Sequence, residues 1–313
     1  MYLKILLLGI FFLGFMYPLS LKAQDQSNVP PRVVVSLKPI HSLVAGVMGS
    51  RGSPLLLVSG NSSEHGYHLK PSDAQNLQNA DLIFWIGNDM ETYLEKSIQA
   101  LQKSAVIITL SKIPEINLLP IRGDLHFERY EDIRENISHS HSSKYNLHIW
   151  LDPRNALTIT DTIITELSKI DPIYGSIYQE NGSRLKRKLI LLDQELSKKL
   201  EPAKGKPFIV THDAYQYLEH RYGLRAVGAI TLSPEQSPSV SRLSKLRTKI
   251  KQLGAVCVFS EPHLKPSLLQ AVINETEAKT ETLDPLGGQI DAGSELYFNL
   301  MRSNAQALAQ CLS

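Results

Sequence analysis

The feature that most constrains the fold is a repeated alternation of short apolar runs with helical patterns. Each run is rich in β-branched residues and is followed by turn residues and then by a helical pattern, an order typical of parallel sheets with helices on both faces. The predicted strands are Val33–Leu37, Leu55–Val58, Leu82–Ile86, Val106–Thr109, Phe208–Thr211, Ala226–Ile230, Ala255–Ser260 and Glu281–Leu283. The sequence therefore predicts an α/β fold with two similar lobes, residues 32–170 and 204–313, each a parallel sheet flanked by helices.

A long linker helix is predicted between the lobes, within residues 171–203. The segment carries four leucines at steps of four, three and four, the period of an amphipathic helix: Leu185, Leu189, Leu192 and Leu196. One rigid helix would limit how far the lobes can swing, so we do not expect a large hinge closure. Asn181 and Gly182 lie in its middle, and because glycine costs about 1 kcal/mol relative to alanine in a helix, two shorter helices are the alternative.

The first residues have the layout of a secretory signal peptide. Lys4 precedes an apolar run from Ile5 to Tyr17, and a small-residue site ends at Ala23. The run is shorter than the roughly 20 residues that a membrane-spanning helix needs. We therefore expect cleavage near Ala23, with residues 1–23 as the signal peptide, and a soluble periplasmic protein. An uncleaved N-terminal anchor is the alternative, whereas a lipid anchor is not expected because no cysteine follows the run.

The charge of the chain is nearly balanced, with 33 basic and 31 acidic side chains. Binding of nucleic acid would need a clustered basic excess. A nucleic-acid partner is therefore not expected.

The two cysteines, Cys257 and Cys311, both lie in the last fifth of the chain. An exported protein meets oxidising conditions, so we predict one disulfide that ties the C-terminal helix to a strand. A metal site formed by the pair is the weaker interpretation, because the pair lacks the short spacing of zinc ligands.

Candidate metal ligands follow the predicted strands. His65 follows the second strand, and His148 opens the block His-Ile-Trp-Leu-Asp-Pro. In the second lobe, His212 and Asp284 each close a strand. Because ligands of open α/β sheets bind outside the carboxyl ends of the strands, we expect convergence on the cleft between the lobes. Three imidazoles and one carboxylate suit four-coordinate Zn²⁺, whereas Mn²⁺ prefers more oxygen ligands.

Five sequence blocks resemble the periplasmic high-affinity zinc-uptake binding proteins, the solute-binding components of ABC-type zinc and manganese importers. In order, they are residues 63–83, 148–153, 211–215, 259–262 and 282–287. The resemblance covers essentially the whole mature chain. It implies a protein that is not an enzyme, that captures Zn²⁺ in the periplasm and that delivers it to a membrane permease. We expect a monomer.

By this resemblance, His65, His148 and His212 hold the metal. The fourth position is filled by Glu64 or Asp284, or by a water molecule where neither reaches. Manganese-binding relatives carry a carboxylate in place of His212, so the histidine favours zinc over manganese. The cysteine pair also matches the zinc-binding relatives, in which it forms a disulfide.

Residues 123–147 are polar and lack a sustained period, which predicts a mobile surface loop. Zinc-binding relatives often have a loop crowded with histidine and acidic residues before the second ligand. Here the loop keeps His126, His139 and His141 among acidic side chains. It is either a weak auxiliary metal site or a solvated acidic loop whose histidines bind nothing.

Some nearby polar residues are expected to support the site rather than to bind metal. Glu261, at the end of a predicted strand, is expected to orient His212 through a hydrogen bond. Asp152 and Asp213 directly follow ligand blocks and are expected to cap helices. Four histidines are not expected to be ligands: His41, His68, His220 and His263.

Two other functions compete with metal capture. A zinc-dependent hydrolase is the first, because three histidines and a water molecule also form a catalytic pattern. Such an enzyme would keep an open coordination position and a base such as Glu64, and the chain has no HExxH helix. A surface adhesin is suggested by the family resemblance alone.

Overall fold

The computed structural model describes residues 29–58, 63–101, 105–122, 144–231, 237–253, 257–262 and 265–313. The predicted signal peptide and most of the predicted loop lie outside these residues, as do His126, His139, His141 and His263. Residues 31–313 form one compact unit, and only Val29 and Pro30 of the N-terminal unit, Met1–Pro30, are described. The lobe boundaries given above remain predictions.

Two parallel four-stranded sheets form the frame of the molecule. Their strands are β1 (Val33–Val35), β2 (Leu55–Leu56), β3 (Leu82–Trp85), β4 (Val106–Thr109), β7 (Pro207–Val210), β8 (Arg225–Ala229), β9 (Cys257–Ser260) and β10 (Lys279–Thr282). The first sheet has the order β2-β1-β3-β4 and the second the order β10-β9-β7-β8. In each sheet, the first strand along the chain lies between the second and the third. This shared topology confirms the prediction of two similar lobes.

The helices are α1 (Lys38–Met48), α2 (Pro71–Gln78), α3 (Glu95–Leu101), α4 (Pro153–Ile170), α5 (Gly175–Leu200), α6 (Gln216–Tyr222), α7 (Val240–Leu253), α8 (Pro266–Ile273) and α9 (Leu296–Cys311). A short antiparallel pair, β5 (Leu119–Pro120) and β6 (Tyr145–Asn146), was not predicted. The prediction of a mobile surface loop over residues 123–147 is therefore wrong for its last residues, where Asn146 and Leu147 are buried. Within the described part of the chain, no helix is long and apolar enough to cross a membrane.

Helix α5 runs without a break through Asn181 and Gly182, so the structure has one long helix here rather than two. The four leucines that repeat at helical spacing are all buried. Packing explains the glycine, because a Cβ atom at position 182 would lie 2.2 Å from Cδ1 of Ile164 on α4. The lack of a side chain lets α4 and α5 approach closely.

Burial on both faces of the sheets explains why the inner strands are continuous apolar runs in the sequence. Successive strand residues point to opposite faces of a sheet, and the inner strands β1, β3, β7 and β9 are buried on both faces. On β1, Val33 and Val35 belong to a large cluster shared by the two lobes, whereas Val34 belongs to a smaller one on the opposite face. The C-terminal helix α9 is tied to β9 by the disulfide between Cys257 and Cys311, which confirms the predicted pairing.

Candidate metal centre

Four potential ligands come from three separated stretches of the chain. Glu64 and His65 lie in the loop between β2 and α2, and His148 directly follows Leu147 after β6. His212 lies two residues beyond the end of β7. Both parallel sheets therefore contribute from the carboxyl ends of their strands, where open α/β sheets bind ligands.

The donor atoms of Glu64, His65, His148 and His212 all lie within 4.8 Å of one another. The Nε2 atoms of His148 and His212 are 3.2 Å apart. Oε1 of Glu64 is 3.2 Å from Nε2 of His148, 3.4 Å from that of His212 and 3.8 Å from that of His65. Zinc bonds of 2.0 to 2.2 Å in a tetrahedron separate neighbouring donors by about 3.3 to 3.6 Å. The spacings among Glu64, His148 and His212 are close to those of a tetrahedral shell, and His65 lies slightly farther from Glu64, so a small shift of its side chain would complete an N₃O set.

Hydrogen bonds at the opposite ring nitrogens orient two of the imidazoles. Nδ1 of His148 lies 2.8 Å from Oδ1 of Asn146. Nδ1 of His212 lies 2.9 and 3.0 Å from the two oxygens of Glu261, as predicted, and the Tyr215 hydroxyl donates to the same carboxylate at 3.2 Å. A proton on Nδ1 leaves the lone pair of Nε2 free for a metal ion.

Asn146 is a part of the site that sequence reasoning missed. Its Oδ1 also accepts the backbone N–H of His148 at 3.1 Å, and its Nδ2 donates to the carbonyl oxygen of Asp213 at 2.6 Å. The Tyr217 hydroxyl donates to the carbonyl of Asn146 at 2.6 Å and accepts the N–H of Leu119. One amide therefore connects the segments that carry His148 and His212. Its place two residues before a histidine was the only sequence signal for this role.

Burial differs among the four donors. The side chains of Glu64, His148 and His212 are 3%, 6% and 2% exposed, whereas that of His65 is 24% exposed. The cluster is therefore reached from solvent on the side of His65.

The electrostatics of the cluster favour a cation. Burial acts to raise the pKa of Glu64, but its hydrogen bonds with His148 and His212 hold that pKa well below the usual range. Burial lowers the pKa of His148 to about 4. Burial also acts to lower the pKa of His212, but the charge and hydrogen bonding of Glu261 raise it well above the usual value. These shifts favour an ionised Glu64 and a neutral His148 at neutral pH, whereas the raised pKa of His212 means that a metal ion competes with a proton there.

Asp284, the other predicted carboxylate, is not among these four donors. Its carboxylate accepts hydrogen bonds from the backbone N–H groups of Leu286, Gly287 and Gly288 at 2.9, 2.8 and 2.7 Å. The loop after β10 thus folds around this side chain. Glu64 is the carboxylate that lies with the three histidines.

The two aspartates that were expected to cap helices differ. Asp152 accepts the backbone N–H of Arg154 at 2.8 Å and caps α4, as predicted. The same expectation for Asp213 is wrong: its carboxylate faces Nε of Arg122 at 3.5 Å, and the N-cap of α6 is Tyr215. The geometry differs because α6 begins three residues beyond Asp213.

The described histidines outside the cluster have other environments. His41 is buried, with Nε2 3.0 Å from the carbonyl oxygen of Pro54. His68 and His220 are exposed. None of the three belongs to the cluster.

Comparison with known proteins gives a consistent result. The family model described as "ZnuA: Zinc-uptake complex component A periplasmic" matches residues 33–311. The high-affinity zinc uptake system protein ZnuA of Brucella suis biovar 1 is 41% identical over 305 residues, which cover 90% of this chain and 91% of that protein.

Solved structures agree with this match. A crystal structure of ZnuA superposes with a TM-score of 0.75 at 25% identity, covering 91% of this chain and 100% of that one. A Zn(II)-bound variant of AdcAII from Streptococcus pneumoniae superposes with a TM-score of 0.76 at 25% identity, covering 92% and 100%.

Proposed function

The chain belongs to the ZnuA family of periplasmic zinc-uptake components, and on this premise we propose that it captures Zn²⁺ with Glu64, His65, His148 and His212. It then delivers the ion to the membrane permease of an ABC-type zinc importer. The single observation that carries the ligand assignment is the spacing of the four donor atoms, all within 4.8 Å of one another.

The donor set supports zinc as the cargo. Three imidazole nitrogens and one carboxylate oxygen suit Zn²⁺, whereas Mn²⁺ favours sites with more oxygen. The two carboxylates at the site, Glu64 and the hydrogen-bonded Glu261, balance the charge of a divalent ion.

The same set supports capture rather than catalysis. A catalytic zinc site typically keeps three protein ligands and an open position for water or substrate. Here a fourth protein donor, Glu64, lies within the cluster, which leaves no place for a reacting water molecule in a tetrahedral shell. The family is one of transport components, and we propose that this chain carries out no hydrolysis.

The remaining sequence expectations are part of the proposal. Residues 1–23 are removed on export, and the mature chain acts as a monomer. The segment 123–147, with His126, His139 and His141, is an auxiliary zinc site of low affinity. Light scattering tests the oligomeric state. Zinc binding by a chain that lacks residues 123–143, and so keeps Asn146 beside His148, tests the auxiliary site.

The experiment that tests the ligand assignment is calorimetric titration of the metal-free mature protein with Zn²⁺ and Mn²⁺. Single alanine variants of His65, His148 and His212, together with Glu64→Gln, are compared with His68→Ala. His68 is an exposed histidine in the same loop as His65 and provides a matched control.

We expect tight one-site zinc binding that is weakened in the four ligand variants and unchanged in His68→Ala. Asp284→Asn tests the alternative carboxylate and should retain more zinc affinity than Glu64→Gln. Wild-type affinity in the histidine variants would refute the assignment. A larger loss of zinc affinity in Asp284→Asn than in Glu64→Gln would identify Asp284, rather than Glu64, as the fourth zinc ligand.

A further inference from the structure

Lys38, the first residue of α1, has a buried side chain. Its Nζ donates hydrogen bonds to the carbonyl oxygens of Gly287, Gly288 and Ile290 at 2.8, 3.0 and 2.6 Å. A buried ammonium is costly unless its donors are paired, and the three N–H groups of a lysine match three carbonyls. Lys38 therefore fastens the loop after β10 in the second lobe to the start of the first helix.

The other end of this loop, which we call the 284–290 loop, reaches the metal centre. The indole Nε1 of Trp150 donates to the carbonyl oxygen of Pro285 at 2.8 Å. Trp150 is fully buried, and its ring centroid is 5.3 Å from that of His148. The Tyr297 hydroxyl donates to the carbonyl of Trp150 at 2.8 Å. The 284–290 loop is thus held by Lys38 at one end and supports the tryptophan beside His148 at the other.

The symmetry of the fold gives Lys38 a counterpart in the second lobe. Lys38 lies three residues beyond the end of β1, and Asp213 lies three residues beyond the end of β7. These strands occupy equivalent positions in their sheets. Asp213 also reaches across to the first lobe, through its carbonyl to Asn146 and its carboxylate to Arg122. Each lobe therefore sends one ionisable side chain to the other: Lys38, which is buried, and Asp213, which is partly buried.

We propose that Lys38 is a positioning residue for metal capture, which holds His148 in place through the 284–290 loop and Trp150 and so slows the release of Zn²⁺. This inference rests on the proposed function of the same site. Loss of the ammonium would leave three carbonyls without a donor, and the bond from Trp150 to Pro285 would then remain as the described side-chain hydrogen bond between the 284–290 loop and the first lobe. A less firmly held loop would weaken the support that Trp150 gives to the ring of His148.

The test is the rate at which the zinc-loaded mature protein loses its ion to an excess of chelator. Lys38→Met removes the ammonium and keeps the length of the side chain. Lys188→Met is the matched control, because Lys188 is exposed and donates to Oε1 of Glu295 at 2.7 Å. We expect zinc release to be about tenfold faster in Lys38→Met, the lower end of the range for residues that support a metal ligand indirectly. Lys188→Met should match the wild type.

Trp150→Phe provides a second variant if Lys38→Met does not fold. It removes the N–H donor to Pro285 and keeps an aromatic ring beside His148, and we expect faster release here as well. A purely structural role would lower the unfolding midpoint and leave both the release rate and the Co²⁺ absorption spectrum unchanged. If Lys38→Met folds and releases zinc at the wild-type rate, the inference is overturned. If Lys38→Met does not fold, a wild-type release rate in Trp150→Phe overturns it. Failure of the wild type itself to bind zinc would instead refute the proposed function.

Discussion

Replacement of Glu261 by glutamine tests how the surroundings of the cluster set zinc affinity. The variant keeps the size of the side chain and one acceptor oxygen for Nδ1 of His212, but it removes the negative charge. In the wild type, both carboxylate oxygens lie within 3.0 Å of that nitrogen. The charge of Glu261 interacts with whatever cation occupies Nε2 of His212, and that cation is either a metal ion or a proton.

Coulomb's law gives the size of each interaction. A dication bound at Nε2 would lie about 7 Å from the carboxylate, which corresponds to about 5 kcal/mol at an effective dielectric constant of 20. A protonated imidazole, with its charge about 4 Å away, already gains about 4 kcal/mol in the same medium. The proton therefore cancels most of the benefit wherever His212 is protonated in the metal-free protein. The charge of Glu261 favours zinc fully only where His212 is neutral.

The expected result is a pH-dependent loss of affinity. Glu261 raises the pKa of His212, so zinc must displace a proton from the wild type over a wider pH range than from Glu261→Gln. Where His212 is protonated, the difference of about 1 kcal/mol makes the variant bind zinc less than about tenfold more weakly, which we expect at pH 6. At pH 8 we expect a larger loss of about 10- to 100-fold, the usual range for such partners; this is less than the full value of about 5 kcal/mol because a proton still competes at His212. Chelator competition at both pH values measures the ratio.

Tyr215→Phe is the control, because it removes the hydroxyl that donates to Glu261 and keeps the charge. It should change the affinity much less at either pH. Equal affinity of Glu261→Gln and the wild type at pH 8, or a ratio that does not change with pH, would refute the reasoning.

Three further predictions concern the fold and the pH response. Gly182→Ala should lower the free energy of unfolding by about 1 kcal/mol or more, because the cost of the overlap between the new Cβ and Ile164 exceeds the helix-propensity gain of alanine. Gly175→Ala is the control, because its Cβ would make only ordinary contacts, and it should not lower the free energy of unfolding. Urea unfolding compares the two variants. Removing the disulfide by replacing Cys257 and Cys311 with serine should cost about 4 kcal/mol for its loop of 54 residues, and an unchanged unfolding midpoint would contradict this. Zinc affinity should be lower at pH 5 than at pH 7.5, because protons compete for the imidazole donors; equal values in a competition assay would exclude this competition.

The sheet framework could be predicted because buried parallel strands are continuous apolar runs with turn signals after them. The prediction was least accurate where that signal is absent. Strand β10 begins at Lys279 rather than at Glu281, and all four of its residues are exposed. The pair β5 and β6 has two residues per strand and is fixed by a distant side chain, since the Tyr217 hydroxyl bonds to both strands. Such tertiary contacts have no local sequence pattern.

At the metal centre too, features with a local sequence signal could be predicted, and features that depend on contacts between distant residues could not. The histidines could be predicted from their places after strands and from the family resemblance, and their role as ligands remains a prediction. The choice between Glu64 and Asp284 could not be made, because it depends on the backbone N–H groups that surround Asp284. The contact of Lys38 with Gly287 spans 249 residues, so no sequence window contains both partners.

A crystal structure of the zinc-loaded protein, with anomalous diffraction data at the zinc edge, locates the ion directly. We expect one strong peak at bonding distance, about 2.0 to 2.2 Å, from Oε1 of Glu64 and from the Nε2 atoms of His65, His148 and His212. Asp284 should remain bonded to the backbone of its own loop. A strong peak elsewhere, or a shell in which Asp284 replaces Glu64, would show that the four proposed residues are not the zinc ligands.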